Sequence, residues 1–127
     1  MPVPYRKSTI ITFGYSIFRI LNDPEVTIGI FSHTRPAAKG FLDWIKREFE
    51  SNALLLECFP DILYANPQKE SPRWSLDDGI IVKRQTNPKE CTVEAWGLVD
   101  SMPTGRHYSE RVYDDVSEQK AVTRRYG

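Results

Sequence analysis

The chain has little of what marks several protein classes. Its 127 residues carry 17 Lys+Arg against 17 Asp+Glu, so neither sign of charge is in excess. That balance excludes a generally basic nucleic-acid coat and a polybasic membrane tether, while leaving room for a local basic patch. No apolar run approaches the roughly 20 residues that cross a bilayer. The opening Met1-Pro2-Val3-Pro4-Tyr5-Arg6 is unlike a signal peptide, so the protein is expected to stay in the compartment where it is made. The two cysteines, Cys58 and Cys91, have no CxxC spacing and are expected to be reduced, packed thiols rather than a bridge or a metal site.

What remains is the composition of one ordinary domain, with 40% hydrophobic residues and three tryptophans. A chain of this size can bury a core without disulfides or a structural metal. Ser8 to Leu21 carries Ile10, Ile11, Phe13, Ile17, Phe18 and Leu21 at spacings that predict a helix with most bulky groups on one face, stopped by Asn22-Asp23-Pro24-Glu25. Val26 to Phe31 reads as a strand covered on both faces. Thr34 and Pro36 then open a helix to about Glu50, with Ala37, Ala38, Phe41, Leu42, Ile45 and Phe49 toward a core. Helix, buried strand, helix is an α/β signature.

Further along, Asn52 to Cys58 predicts a short helix, and Ala65 to Asp78 a polar surface excursion anchored by Trp74. Gly79 to Lys83 and Cys91 to Trp96 read as strands able to pair as a hairpin across Thr86-Asn87-Pro88-Lys89. Trp44 and Trp96 are expected at the core or its boundary. Residues 97 to 107 predict a loop, Val112-Tyr113 ends the last apolar stretch, and 117 to 127 is expected to be a frayed tail.

Two stretches suit phosphate and metal chemistry. At the start of the first helix, Arg6-Lys7-Ser8-Thr9 offers backbone donors, a lysine for β/γ oxygens and the Ser8 hydroxyl for Mg²⁺. The same letters describe an ordinary N-cap, and the full P-loop glycines are replaced by Met1 and Arg6. The second stretch is Asp114-Asp115 after Val112-Tyr113. An acid ending a strand of a nucleotide-binding sheet holds Mg²⁺ through water, and a neighbouring acid polarises the attacking water. Asp-Asp also commonly caps a turn.

Taken in order, several segments together resemble the ATPase domain of bacteriophage large terminase subunits. These are Lys7-Ser8-Thr9 opening a helix, the Val26 to Ser32 strand, the Ser32-x-Thr34-x-x-x-Ala38 helix start and Asn52 to Phe59-Pro60. The Trp74 hairpin region, Gly97 to Gly105-Arg106-His107 and Asp114-Asp115 complete the order. The match covers residues 1 to 116. It implies a P-loop NTPase-like α/β fold, a partial, mostly parallel sheet flanked by helices with an inserted β-hairpin. Residues 1 to 127 would form a single partial ATPase domain, running from within Walker A to just after Walker B and lacking the nuclease domain.

The resemblance further implies ATP and Mg²⁺ as cofactors. Arg6, Lys7, Ser8 and Thr9 would meet the nucleotide, with Arg6 as an extra phosphate clamp. Ser8 and Asp114 would hold the metal, and Asp115 or Glu118 would be the catalytic carboxylate. The parent would be a hydrolase of the viral DNA-packaging motor in the bacterial cytoplasm, fed double-stranded DNA by a small terminase subunit, docked on a portal protein and able to form a ring. His33, at the end of the strand after the first helix, is a further candidate near the site, although its reading as a solvated loop residue ranks first, and the resemblance would put Arg106 near DNA or a neighbouring subunit. Phosphoryl transfer needs several parts acting together, and losing one costs factors of about 10³–10⁵, so the isolated chain is expected to hydrolyse ATP weakly or not at all. The alternative is a non-enzymatic prophage remnant with little or no nucleotide binding. A third reading, a contact module on the Lys39, Lys46 and Arg47 face with the Trp74 loop, ranks behind both because Glu48 and Glu50 intersperse the basic residues.

Overall fold

The computed structural model describes residues 4–98 and 105–113, with side chains from residue 13 onward. Helix α1 (Pro4–Asn22) begins before the predicted Ser8. Proline is suited to a first helical turn, where its missing N–H is not needed and its φ is already helical. Ser16 and Ile20 are fully buried, and Phe13, Ile17 and Leu21 pack beside the core. Phe18, expected on the buried face, is instead 60% exposed. Two positions from Ser16, it falls about 200° around a helix that advances 100° per residue.

The next strand, β1 (Ile28–Ser32), is buried along its whole length, as the unbroken apolar run predicts. Helix α2 (Arg35–Ser51) follows directly. Thr34 caps it by accepting from the Ala37 N–H at 3.4 Å, and Ala38, Phe41, Leu42, Ile45 and Phe49 form its buried stripe. Helix α3 (Ala53–Cys58) is capped by the Asn52 side chain, which accepts from the Leu55 N–H at 3.1 Å. Cys58, expected to be packed, is exposed, because this short helix buries none of its residues fully.

The Ala65 to Asp78 excursion contains a four-residue helix α4 (Pro67–Glu70) and strand β2 (Trp74–Ser75). Strands β3 (Gly79–Ile80), β4 (Val93–Gly97) and β5 (Glu110–Tyr113) complete a five-stranded sheet of order β2-β3-β4-β1-β5. β1 pairs parallel with β4 and with β5, whereas β2–β3 and β3–β4 are antiparallel. The sheet is therefore mixed rather than mostly parallel.

β3 is also shorter than the predicted 79–83 strand, because its later donors diverge. The Ile81 N–H goes to the Arg73 carbonyl, Val82 to Thr92 Oγ1, and Lys83 to the Ile62 carbonyl. The polar Glu110-Arg111 of β5 suits its place at the sheet edge.

A single core joins Ile20 of α1 and the α2 stripe to Ile28, Ile30, Ile80, Val93, Ala95 and Val112 of the sheet. Because strand side chains alternate, these residues define one sheet face, covered by α1 and α2. The other face carries Gly29, Phe31, Glu94, Trp96, Arg111 and Tyr113.

Candidate functional site

Register places the C-terminal ends of the three parallel strands at one edge, with Ser32 opposite Gly97 and Phe31 opposite Tyr113. Near the C-terminal end of α1, Arg19 is ion-paired with Glu110, the first residue of β5, and the Tyr15 hydroxyl donates to the same carboxylate at 3.4 Å. That end of the helix therefore sits at the N-terminal ends of the strands. A 19-residue helix is about 28 Å long, and Phe13 meets Phe41 and Trp44 of α2, so α1 runs back toward the edge where β1 and β5 finish.

At that edge the backbone can receive an anion. In a helix starting at Pro4, the N–H groups of Tyr5 and Arg6 have no intrahelical acceptor, and the first turn holds no acidic residue to compete. On β1, alternation from Ile28 and Ile30 puts Ser32 on the same sheet face as the helices. Ser32 is 1% exposed, and its Oγ meets no hydrogen-bond partner among the described residues.

The residues singled out for nucleotide chemistry divide accordingly. Arg6, Lys7, Ser8 and Thr9 lie in the first turns of α1, with side chains outside the described residues. Asp114 and Asp115 continue the chain directly after β5, and they and Glu118 lie outside the described residues. His33 stands half-buried in the turn between β1 and α2. Among the described residues, no group of three or more His, Cys, Asp or Glu is placed to hold a metal.

Trp74 anchors its excursion as expected, donating from Nε1 to Glu50 Oε2 at 2.7 Å while its ring packs beside the core. The Glu50 carboxyl lies below its usual range through hydrogen bonds from Lys46 and Trp74, which outweigh the opposing effect of burial. Packing is thus the role the structure gives this tryptophan. Trp44 is 49% exposed and meets Phe13 edge-on, and Trp96 is half-buried under the Arg35 guanidinium, so both are boundary residues.

On the face away from α1 and α2 lies a network that the sequence reading missed. Glu94, 3% exposed, accepts the Cys91 N–H at 2.8 Å and the Tyr108 hydroxyl at 2.6 Å. Trp96 Nε1 donates to that same hydroxyl at 2.7 Å, and Arg106 Nε stands 3.4 Å from Glu94 Oε1. Burial, reinforced by the Glu94 charge, raises the Tyr108 phenol far above its ordinary value and pushes the Cys91 thiol up to about 11. At neutral pH Cys91 is therefore a thiol, unsuited to nucleophilic attack. The signal was available: a glutamate between Val93 and Ala95 in a strand buried on both sides requires partners.

No family model, curated protein or solved structure matches the chain. The class defined by its geometry is mixed α/β, a five-stranded mixed sheet flanked by helices. No described helix is long and apolar enough to cross a membrane.

Proposed function

We propose that this chain is the nucleotide-binding part of a P-loop ATPase of the large-terminase type, whose parent motor hydrolyses ATP to drive double-stranded viral DNA into a procapsid. The observation that carries the reading is the run of α1, which from its end at Glu110 passes Phe41 and Trp44 of α2 toward the edge where β1 and β5 finish. Ligands of open α/β sheets bind outside the carboxyl ends of the strands. There the free N–H groups of Tyr5 and Arg6 would meet phosphate oxygens, with the Lys7 and Arg6 charges beside them. The orphan Ser32 hydroxyl fits a polar ligand at the same edge.

Ser8 and Asp114 would hold Mg²⁺, which when bound neutralises phosphate charge, and Asp115 or Glu118 would orient the attacking water. Portal protein, small terminase subunit and a ring of like subunits belong to the parent motor. Nucleotide binding is the property proposed for the chain itself.

Calorimetric titration with Mg-ATP tests this, with Lys7→Ala and Asp114→Ala beside the unsubstituted chain. Saturable binding lost in both variants is expected. Absence of binding by a chain shown to be folded would leave the non-enzymatic remnant as the reading. Binding indifferent to both substitutions would place the nucleotide elsewhere.

A further inference from the structure

A neutral chain can still concentrate one sign of charge, and the end of the sheet away from α1's first turn does so. A cleft of about 360 Å³ opens between the segment leading into β2 and the loop before β4, lined by Arg73, Ile81, Asn87, Lys89 and Arg106 among others. This is within the roughly 300–1,000 Å³ range of small-molecule sites. Several contacts put it near the N-terminal ends of the parallel strands. Glu25, ahead of β1, accepts from Gln85 N–H at 2.8 Å, and Glu90 accepts from His107 N–H, ahead of β5, at 2.7 Å.

The cations here exceed the acids able to answer them. Arg84 backs the cleft wall, its Nη2 3.4 Å from the carbonyl of Pro88, which also lines the cleft. Its Nη1 is buried and meets no hydrogen-bond partner among the described residues. Burial pulls this guanidinium down from its ordinary value against the opposing charges of Glu25 and Glu94, and the Arg73 charge adds a smaller lowering effect. Arg106 leans on Glu94, but that carboxylate already receives the Tyr108 hydroxyl and the Cys91 N–H. Glu90 is turned to His107 and Glu25 to Gln85 and Thr86. Lys89 and Arg73 are exposed at the mouth. Gly105 has φ +75° and no side chain, and even a Cβ there would stand only 3.2 Å from Lys89 Nζ, so this glycine lets the two loops close together.

We infer that this cleft is a second anion site, one that takes phosphate groups through Arg73, Lys89 and Arg106, with the Arg84 charge behind its wall. Guanidinium groups match phosphate oxygens in pairs, and lysine adds a point charge. A phosphate there would offset the repulsion between the Arg73 and Arg84 charges. The chemistry is common to a free phosphoanhydride and to the backbone of a nucleic acid, and the open mouth admits either. The inference is independent of the nucleotide reading, because the two sites are at opposite ends of the sheet.

The test uses the full chain carrying Lys7→Ala, which removes the lysine proposed for the other edge. Pyrophosphate and a short DNA duplex are titrated separately at low salt while amide resonances are followed. Saturable shifts at Arg73, Asn87, Lys89 and Arg106 are expected, with affinity lowered at least about tenfold by Arg73→Ala/Lys89→Ala. The single exposed substitution Lys89→Gln, with an unchanged unfolding midpoint, guards against loss by misfolding and should lower affinity by a smaller factor. Shifts with pyrophosphate alone identify a free phosphoanhydride as the ligand. Shifts with the duplex that weaken steeply with salt identify a nucleic-acid backbone. No saturable shift at these residues with either probe, or equal affinity in the double variant, overturns the assignment.

Discussion

Tyr108 packs its ring against the bare Cα of Gly29, where an added Cβ would stand 2.7 Å from Tyr108 Cδ2 and 2.9 Å from Phe31 Cε2. The glycine of the Val26 to Phe31 run is thus a matter of close approach across the sheet face. Gly29→Ala should destabilise the chain by about 1–3 kcal/mol through overpacking, read as a lower urea midpoint. Tyr108→Ala in the same chain should make the alanine better tolerated. An unchanged midpoint in Gly29→Ala would mean that the ring does not rest there.

The hydroxyl of the same tyrosine links two other groups, accepting from Trp96 Nε1 and donating to Glu94. Tyr108→Phe keeps the ring but strips both of that partner, and a buried group left unsatisfied costs about 1–3 kcal/mol. A thermal midpoint lowered by several degrees is expected, with a smaller incremental loss when Glu94→Gln is already present. Strict additivity of the two substitutions would argue against a direct contact.

The legible and illegible parts of this molecule separate along physical lines. The α2 stripe, the Thr34 cap and the buried β1 run depend on neighbours in sequence, and each appears where periodicity and capping put it. The terminase-like motifs placed candidate residues on α1 and directly after β5, but their side-chain geometry lies outside the described residues. The basic cleft draws Arg73, Lys89 and Arg106 from separate segments, and no local spacing announces such an assembly. The brevity of β3 was equally hidden, because its later donors find Arg73, Thr92 and Ile62, partners far along the chain.

The two cysteines should differ sharply. Cys58 is exposed and Cys91 buried, with the latter's thiol pushed up to about 11 by burial and by Glu94. One thiol should react promptly with a maleimide or disulfide reagent at pH 8 in the folded chain, and the second only on unfolding. The raised value also sets the sign of a pH effect. Below the ordinary thiol value of 9.0 both states are protonated and the Cys91 contribution is intact. Between that value and about 11 only the unfolded thiol ionises, so stability falls as pH rises. Cys91→Ala should flatten the decline in thermal midpoint across this range, and an equally steep decline would assign it to other groups.

On the acid side Glu25 is one of the carboxyls held below their ordinary values, with Glu50, Asp77 and Glu90. Its carboxylate accepts the N–H groups of Gln85 at 2.8 Å and Thr86 at 3.2 Å and also the Thr86 hydroxyl, tying the chain before β1 to the loop before β4. These bonds favour the ionised form and hold its pKa below the ordinary 4.5. A lowered carboxyl stabilises the fold above its unfolded value, and that contribution is lost as pH falls through the folded value. Glu25→Gln should therefore lower the midpoint at pH 7 yet converge toward the parent chain in acid. A parent and variant separated by the same interval from pH 7 to pH 3 would show that the Glu25 charge does not hold this loop.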